Sequence, residues 1–467
     1  MAEHASLPID PVIPALRDAL DARGVAVLQA PPGAGKTTRV PVALLGERWL
    51  GGRKIVMLEP RRLAARAAAS FMARQMGERA GETVGYRVRL DTRVGPRTRV
   101  EVVTEGVLAR MIQSDPALED VGLLIFDEFH ERSLDADLGL ALALQTRDIL
   151  RDDLRLLVMS ATLHGAAVAR LLGDARGDAP IVTSEGRAFP VETVWRQPRA
   201  QERVEQAVAR TVREALGDTD GDVLVFLPGQ AEIRRAAALL EQGPLPAGAR
   251  VMPLYGNLPL ETQDEAIAPS PRGARKVVLA TSIAETSLTI EGVRVVVDSG
   301  LSRVPRFSPR SGMTRLETVR ASRASADQRR GRAGRVAPGV CYRLWSEGED
   351  AHLVPHALPE IAEADLAPLA LELAEAGIVD PDELRWLDPP PRAAYAQARE
   401  LLAELGALDG TGRITAHGRR MAAFGTQPRL AHMLLRGAEL GHARVACDLA
   451  ALLGERDVVR AEGAPPD

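Results

Sequence analysis

No apolar run in this chain is long enough, or free enough of charge, to cross a bilayer, although 46% of its residues are hydrophobic. The opening "MAEHASLPIDPVIPALRDAL" lacks the basic start and apolar centre of a secretory signal, so a soluble, cytoplasmic, globular protein is the expectation. Cysteine is almost missing. Cys341 and Cys447 lie far apart with no CxxC or histidine cluster beside them, which argues against a disulfide framework or a zinc site and leaves two ordinary buried thiols. Lysine is nearly as scarce: Lys36, Lys54 and Lys276 are all there are, and arginine supplies the rest of the 59 basic residues. With abundant Ala and Gly, that bias is the mark of a GC-rich bacterial coding sequence. A net charge of -4 excludes a chain that coats nucleic acid with bulk positive charge, though it leaves room for a local basic groove. Fixed-period repeats and low-complexity tracts do not occur.

What is present is a long alternation. At roughly 100 to 200 residues per domain, 467 residues correspond to about three domains. Between residues 24 and 185 short apolar runs ("GVAVLQA", "KIVMLEP", "RVEVVT", "GLLIFDE", "LRLLVMSAT") are separated by amphipathic stretches, the pattern of a parallel sheet wrapped by helices. After a break near Glu185 to Pro190 a second series follows: "DVLVFLP", "ARVMPLYG", "RKVVLATS", "VRVVVDSG". Beyond about Leu344 strand signals fade and helical patterns take over, interrupted at Pro389 to Pro391, where proline cannot continue a helix.

Two motifs in the first series carry chemistry. "VAVLQAPPGAGKTT" runs strand, small-residue loop, helix, and ends in Gly35, Lys36 and Thr37. This is a Walker A loop: backbone N–H groups of Gly33, Ala34, Gly35 and the following Thr37 and Thr38 surround phosphates, Lys36 reaches the β and γ phosphates, and the Thr37 hydroxyl ligates magnesium. Ala30 stands where the pattern has its first glycine. About 90 residues on, "LLIFDE" carries Asp127 and Glu128 to the carboxyl edge of a strand, where open α/β sheets bind ligands. Asp127 suits magnesium, with Glu128 beside it, and Glu128 suits orienting and deprotonating an attacking water. A zinc HExxH is excluded because Leu134 occupies the position of the second histidine.

From here the sequence resembles a family. "DEFHERSLDADL" is similar to motif II of the DEAH-box RNA helicases of superfamily 2, and Phe129 in place of the usual alanine is similar to one bacterial branch of them. In the family's order follow likenesses to motif Ia ("EPRRLAAR", Glu59 to Arg66), Ib ("VTEGVLAR", Val103 to Arg110), III ("SAT", Ser160 to Thr162), IV ("VLVFLPGQAEI"), V ("TSIAETSLTI", Thr281 to Ile290) and VI ("QRRGRAGR", Gln328 to Arg335).

The resemblance implies two tandem RecA-like domains, 1–185 and 186–345, a mostly helical winged-helix domain over 346–424, and the start of a helical ratchet domain over 425–467, in a chain expected to continue beyond this point. It implies ATP and Mg2+ bound between the first two, with Arg332 and Arg335 as arginine fingers and Gln328 on the phosphate or the attacking water. His130, Ser160 and Thr162 would couple that site to domain closure, and Arg61, Arg62, Thr104, Gly229 and Thr281 would hold the RNA backbone. "GLSRVPRFSPRSGMTRLETVRAS" resembles the strand-separating β-hairpin region, where Phe307 and several arginines could touch RNA. The family's Arg–Phe sandwich for the nucleotide base falls on Phe71 and Ile267 here, which predicts weak discrimination among nucleoside triphosphates. The implied activity is ATP-dependent RNA translocation or unwinding, 3' to 5', by a monomer; an ATP-gated RNA clamp without processive unwinding and a DNA helicase are the alternatives.

Overall fold

A computed structural model describes residues 6–161, 165–186, 189–286, 290–308 and 312–454. Eight strands build the first sheet: β1 (Val25–Gln29), β2 (Lys54–Leu58), β3 (Val84–Val88), β4 (Asp91–Arg93), β5 (Val100–Val103), β6 (Val121–Phe126), β7 (Arg155–Ser160) and β8 (Ile181–Thr183). Their spatial order is β4-β3-β5-β2-β6-β7-β1-β8. β6 pairs in parallel with β2 and β7, and β1 in parallel with β7 and β8, whereas β4 turns back antiparallel on β3. All six residues of β6 are buried, as a central strand covered on both faces requires, and this explains an uninterrupted apolar run rather than an alternating one. Because parallel strands end at the same edge, the loop after β1, Ser160 at the end of β7 and Asp127-Glu128 after β6 emerge side by side.

The second sheet contains β9 (Val191–Trp195), β10 (Asp222–Phe226), β11 (Ala249–Leu254), β12 (Arg275–Ala280) and β13 (Val293–Asp298). After a two-stranded sheet, β14 (Leu301–Ser308) with β15 (Met313–Arg320), it adds β16 (Gly339–Arg343). The order is β11-β12-β10-β13-β16-β9. Along β10, Val223 and Val225 enter one core with Val208 and Val212 of the helix Val204–Asp218, while Leu224 and Phe226 enter another with Val278, Val296 and Cys341. Both faces of this sheet are therefore covered. Lys276 is buried within the lobe, its ammonium donating to the carbonyls of Ala266, Ile267 and Ala268 at the end of the helix Leu260–Ile267. β9 and β16 add two strands at one side of the sheet, absent from the apolar series above because their residues are small, aromatic or charged.

Two compact units result, residues 1–308 with 314–359, and residues 309–313 with 360–467. The first holds both sheets, so the chain is mixed α/β with two lobes. The second is helical: Ala367–Glu375, Arg392–Glu404, Ala416–Ala422, Pro428–Glu439 and Ala443–Gly454, with a single isolated bridge, Leu408 to Ile414, among its described residues. Cys341 is buried and its thiol is pushed up to about 12 by burial, as an inert core cysteine should be. Cys447 corrects the expectation of two buried thiols. It is exposed, because the helix Ala443–Gly454 turns only Ala446 into the core. Among the described residues no helix is long and apolar enough to cross a membrane.

Arg329 is a buried anchor of motif VI within the second lobe. Arg329, 1% exposed, donates to Asp298 at 2.9 Å, Glu285 at 3.0 Å, Ser302 Oγ at 2.6 Å and the Leu301 carbonyl at 3.1 Å, and its guanidinium lies over the Phe226 ring. Burial opposes its charge, but Asp298 and then Glu285 outweigh that and raise its pKa. Arg329→Leu strands two carboxylates and is expected to destabilise the lobe by about 3–5 kcal/mol, read as a lower urea midpoint; Arg329→Lys recovers only part, since an ammonium cannot reproduce the fork.

Candidate active site

The phosphate loop owes its shape to two glycines in the left-handed region, Gly33 (φ +85°) and Gly35 (φ +96°), which an L side chain rarely adopts. Gly35 is the N-cap of the helix Lys36–Ala43, and Leu7 Cδ1 would lie 2.8 Å from a β-carbon there. Ala30 is absent from the residues with positive φ; its N–H donates to the Ser160 carbonyl at 3.0 Å, so it extends the strand and needs no glycine. Ala34 is buried, and Thr37 and Thr38 are half-buried on the first turn of the helix.

Against this loop stand the two acids. Lys36 Nζ donates to Glu128 Oε1 at 2.8 Å and lies 3.9 Å from Asp127 Oδ1, while the Thr37 hydroxyl donates to Asp127 Oδ2. All are buried except Thr37. Burial alone would lower the Lys36 pKa, but Glu128 and then Asp127 outweigh it and leave it raised. Burial pushes the Asp127 carboxyl up to about 6, with Lys36 opposing and Glu128 adding to the rise. Burial would push Glu128 up as well, yet Lys36 and then His130 hold it down at about 2. Glu128 itself has φ +48°, an uncommon conformation for a residue with a side chain and one that clusters at functional sites. Its second oxygen, Oε2, accepts no hydrogen bond; the nearest ring atom is His130 Nδ1 at 3.5 Å. Thr37 and Asp127 present adjacent hard oxygens, a donor set that fits magnesium and not a softer metal.

Of the three residues expected to couple this site to closure, two lie close together. His130 Nδ1 accepts the N–H of Ala161 at 3.4 Å, joining the 3-10 turn Phe129–Glu131 to the end of β7, where Ser160 is buried. Thr162 lies outside the described residues.

From the second lobe come the arginines. The helix Arg323–Gly331 passes into a 3-10 turn, Arg332–Gly334, in which positions three apart lie one above the other. Arg335 crosses to the first lobe, where its Cδ and Nε would be 3.9 Å from a β-carbon on Gly33. Arg332 is buried, donates Nε to the Glu285 carbonyl at 3.0 Å and Nη2 to that of Thr286, and interacts electrostatically with Glu128. Burial and then Arg335 push the Arg332 pKa well down, and burial pulls Arg335 to about 10. Two guanidiniums desolvated and facing each other favour an anion placed between them. Gln328 is half-buried one turn back on the helix.

The residues expected on RNA are scattered over strand ends. Arg62 is exposed; Thr104 is the buried N-cap of the helix Glu105–Ser114; Thr281 caps the turn Ser282–Ala284. Gly229 opens the helix Gln230–Glu241 with the Arg303 guanidinium filling the space of its missing side chain. Arg61 instead pairs with Glu131 of its own lobe at 3.2 Å and reaches across to the Ser282 carbonyl of the second. Phe307 is half-buried on β14, and residues 309–311 of that region lie outside the described set. Phe71 is 43% exposed on the helix Arg62–Gln75, while Ile267 packs with Ile283 against Leu63 and Ala64. Sequence reasoning passed over Glu131, Glu285 and Thr286. Each lay inside a quoted motif, but nothing in a lone acid or hydroxyl announces a contact made across 155 residues.

Comparison with known proteins agrees with this geometry. Residues 12–171 match the model of a DEAD/DEAH box helicase domain, residues 200–337 that of a helicase conserved C-terminal domain, and residues 398–426 that of the winged-helix helicase associated domain (HA2). The chain is 50% identical over 451 residues to the ATP-dependent RNA helicase HrpB of Escherichia coli K12, covering 97% of this chain and 55% of that protein. A crystal structure of the E. coli DEAH/RHA helicase HrpB superimposes with a TM-score of 0.91 at 49% identity, over 97% of this chain and 57% of that one. A second, of the E. coli DExH-box NTPase HrpB, gives 0.86 at 48% identity, over 98% and 56%. The chain thus spans a little over half the length of the relatives it matches, and its two lobes are RecA-like helicase domains followed by an HA2 winged-helix region.

Gly35→Ala tests the loop directly. Left-handed strain of about 1–2 kcal/mol, added to the 2.8 Å approach of Leu7, is expected to lower the thermal midpoint, whereas Gly46→Ala, with nothing within 4 Å, is expected to leave it in place.

Proposed function

Because the chain belongs to the DEAD/DEAH-box helicases, with both helicase domains present, we propose that it hydrolyses ATP in the cleft between its lobes and uses the cycle to move along or unwind RNA. One observation carries the reading: Lys36, Asp127 and Glu128 converge from the first lobe on the place that Arg332 and Arg335 approach from the second. The phosphate loop binds the β and γ phosphates through its N–H groups, and Lys36 turns from Glu128 to the phosphate oxygens. Magnesium, when bound by Thr37 and Asp127, supplies charge neutralisation at those oxygens.

Release of Lys36 leaves Glu128 free to orient a water and take its proton. Against burial, the Lys36 ammonium and then His130 hold the Glu128 pKa low, so the same carboxylate becomes a stronger base once the lysine has a new partner. Arg332 and Arg335 stabilise charge on the transferring group, with Gln328 on the phosphate or the water, a role worth about 10³–10⁵ in rate for arginine fingers. His130, Ser160 and Thr162 carry the state of this site to the lobe interface.

RNA, in this reading, is gripped by its backbone through Arg61, Arg62, Thr104, Gly229 and Thr281, which implies little sequence preference. The working direction is 3' to 5', and the chain acts as a cytoplasmic monomer. We divide it at residues 185, 345 and 424 into two RecA-like domains, a winged-helix domain and the beginning of a ratchet domain.

Steady-state hydrolysis with and without single-stranded RNA is the test. Glu128→Gln is expected to lower kcat by about 10²–10⁴ while leaving nucleotide affinity nearly unchanged. RNA stimulation lost in the wild type refutes coupling to RNA, and strand displacement on RNA, DNA and hybrid duplexes separates a motor from a clamp and RNA from DNA. With Phe71 and Ile267 at the base positions, GTP, CTP and UTP are expected to be used within about tenfold of ATP, since stacking on an aromatic face discriminates little among bases.

A further inference from the structure

Glu131 takes no part in the hydrolysis described above, yet both of its carboxylate oxygens are engaged, Oε1 from the second lobe and Oε2 by an arginine of its own lobe that itself bonds across. It ends the 3-10 turn Phe129–Glu131, three residues after Glu128. Oε1 accepts the hydroxyl of Thr286 from the second lobe. Oε2 accepts Arg61 Nε and Nη2 at 3.4 and 3.2 Å, and Arg61 Nη1 continues to the Ser282 carbonyl of the second lobe. Thr286 in turn offers its own carbonyl to Arg332 Nη2. An apolar seam lies alongside, Leu63 and Ala64 of the first lobe against Ile267 and Ile283 of the second.

Two consequences follow from this wiring. Thr286 is held on both sides, its hydroxyl by Glu131 and its carbonyl by Arg332, so the carboxylate fixes the backbone on which the finger rests. Arg61, meanwhile, spends its charge on a carboxylate. A phosphate oxygen is an acceptor of the same kind and makes the same forked contact, so RNA and Glu131 compete for one guanidinium. The pair is only about one-fifth exposed on each side, 22% and 20%, so salt screens it less than an open surface pair.

We propose that Glu131 is a positioning residue with two separable duties: through Thr286 it sets the finger Arg332, and through Arg61 it withholds from RNA a contact that RNA must win by displacement. This rests on the reading of the chain as an RNA-coupled ATPase. Binding of RNA then exchanges the Arg61–Glu131 contact within the first lobe, and because closure of the lobes adds the Ser282 carbonyl to the partners of Arg61, linkage makes closure lower RNA affinity by the free energy with which RNA opposes that added contact.

Chemistry separates the duties. In Glu131→Gln the amide oxygen still accepts the Thr286 hydroxyl, but the amide nitrogen cannot accept from Arg61; in Glu131→Ala both contacts are gone. Binding of a fluorescent oligouridylate without nucleotide is measured by anisotropy, alongside kcat and KM for ATP. Loss of a charge-assisted contact predicts that both variants bind the oligonucleotide about tenfold more tightly, that Glu131→Gln keeps kcat within about twofold, and that Glu131→Ala lowers kcat about tenfold with KM for ATP unchanged. Unchanged RNA affinity in both variants overturns the Arg61 duty, and equal kcat in the two overturns the finger duty. Parallel losses of RNA affinity, kcat and thermal midpoint would mark Glu131 as merely structural and overturn both. Failure of the underlying reading shows elsewhere, in a wild type that ignores the oligonucleotide or a Glu128→Gln chain that still hydrolyses ATP.

Discussion

One buried ammonium set against two buried carboxylates governs the first lobe. Lys36, Asp127 and Glu128 leave water together, and each is tolerated only because the others are near. That constraint explains why the loop and the acids must stand on nearby strand ends, with only β7 between them. In the proposed reading it also makes the cleft a place of exchangeable partners: an incoming phosphate takes the lysine, and the acids are left to bind metal and polarise water. Across the cleft the second lobe brings two buried guanidiniums, Arg332 and Arg335, toward the same place.

Much of this was visible before any coordinates. Apolar runs ending in GKT and in DE located the strands β1 and β6 and the acids they carry, because a strand buried on both faces has to be apolar throughout and its polar end has to be the exit. The family resemblance singled out Arg332 and Arg335, and the chain turns there as a 3-10 turn, Arg332–Gly334, at the end of the helix Arg323–Gly331. The strands β3, β9 and β16 were not read, since Gly, Tyr, Arg and Trp within them blur the signal and their burial comes from neighbours distant in sequence. Arg61 and Glu131 show the deeper limit. A charged side chain near a strand end has the same appearance whether it awaits a phosphate or already holds a carboxylate, and only the fold, which sets Arg61 beside Glu131 from 70 residues away, decides between them.

Polar and apolar contacts are divided between the lobes in a telling way. The hydrogen bonds that Arg61 donates to the Ser282 carbonyl and Thr286 to Glu131 are directional and fail when the lobes shift by about an ångström, whereas the Leu63, Ala64, Ile267 and Ile283 contact tolerates sliding. A seam of that composition can let go of its polar half and keep its apolar half, which allows graded opening around a lubricated patch.

Lysine scarcity has a regulatory side. Lys36 is buried at the phosphate loop, Lys276 is buried with its ammonium capping a helix end, and only Lys54, half-covered and beside Glu101, approaches solvent. The surface cations are guanidiniums, which neither acetyltransferases nor ubiquitin-type ligases modify. The chain's electrostatic face is therefore closed to the commonest enzymatic means of erasing positive charge, and its affinity for polyanions is set by salt and by shape, not by acylation.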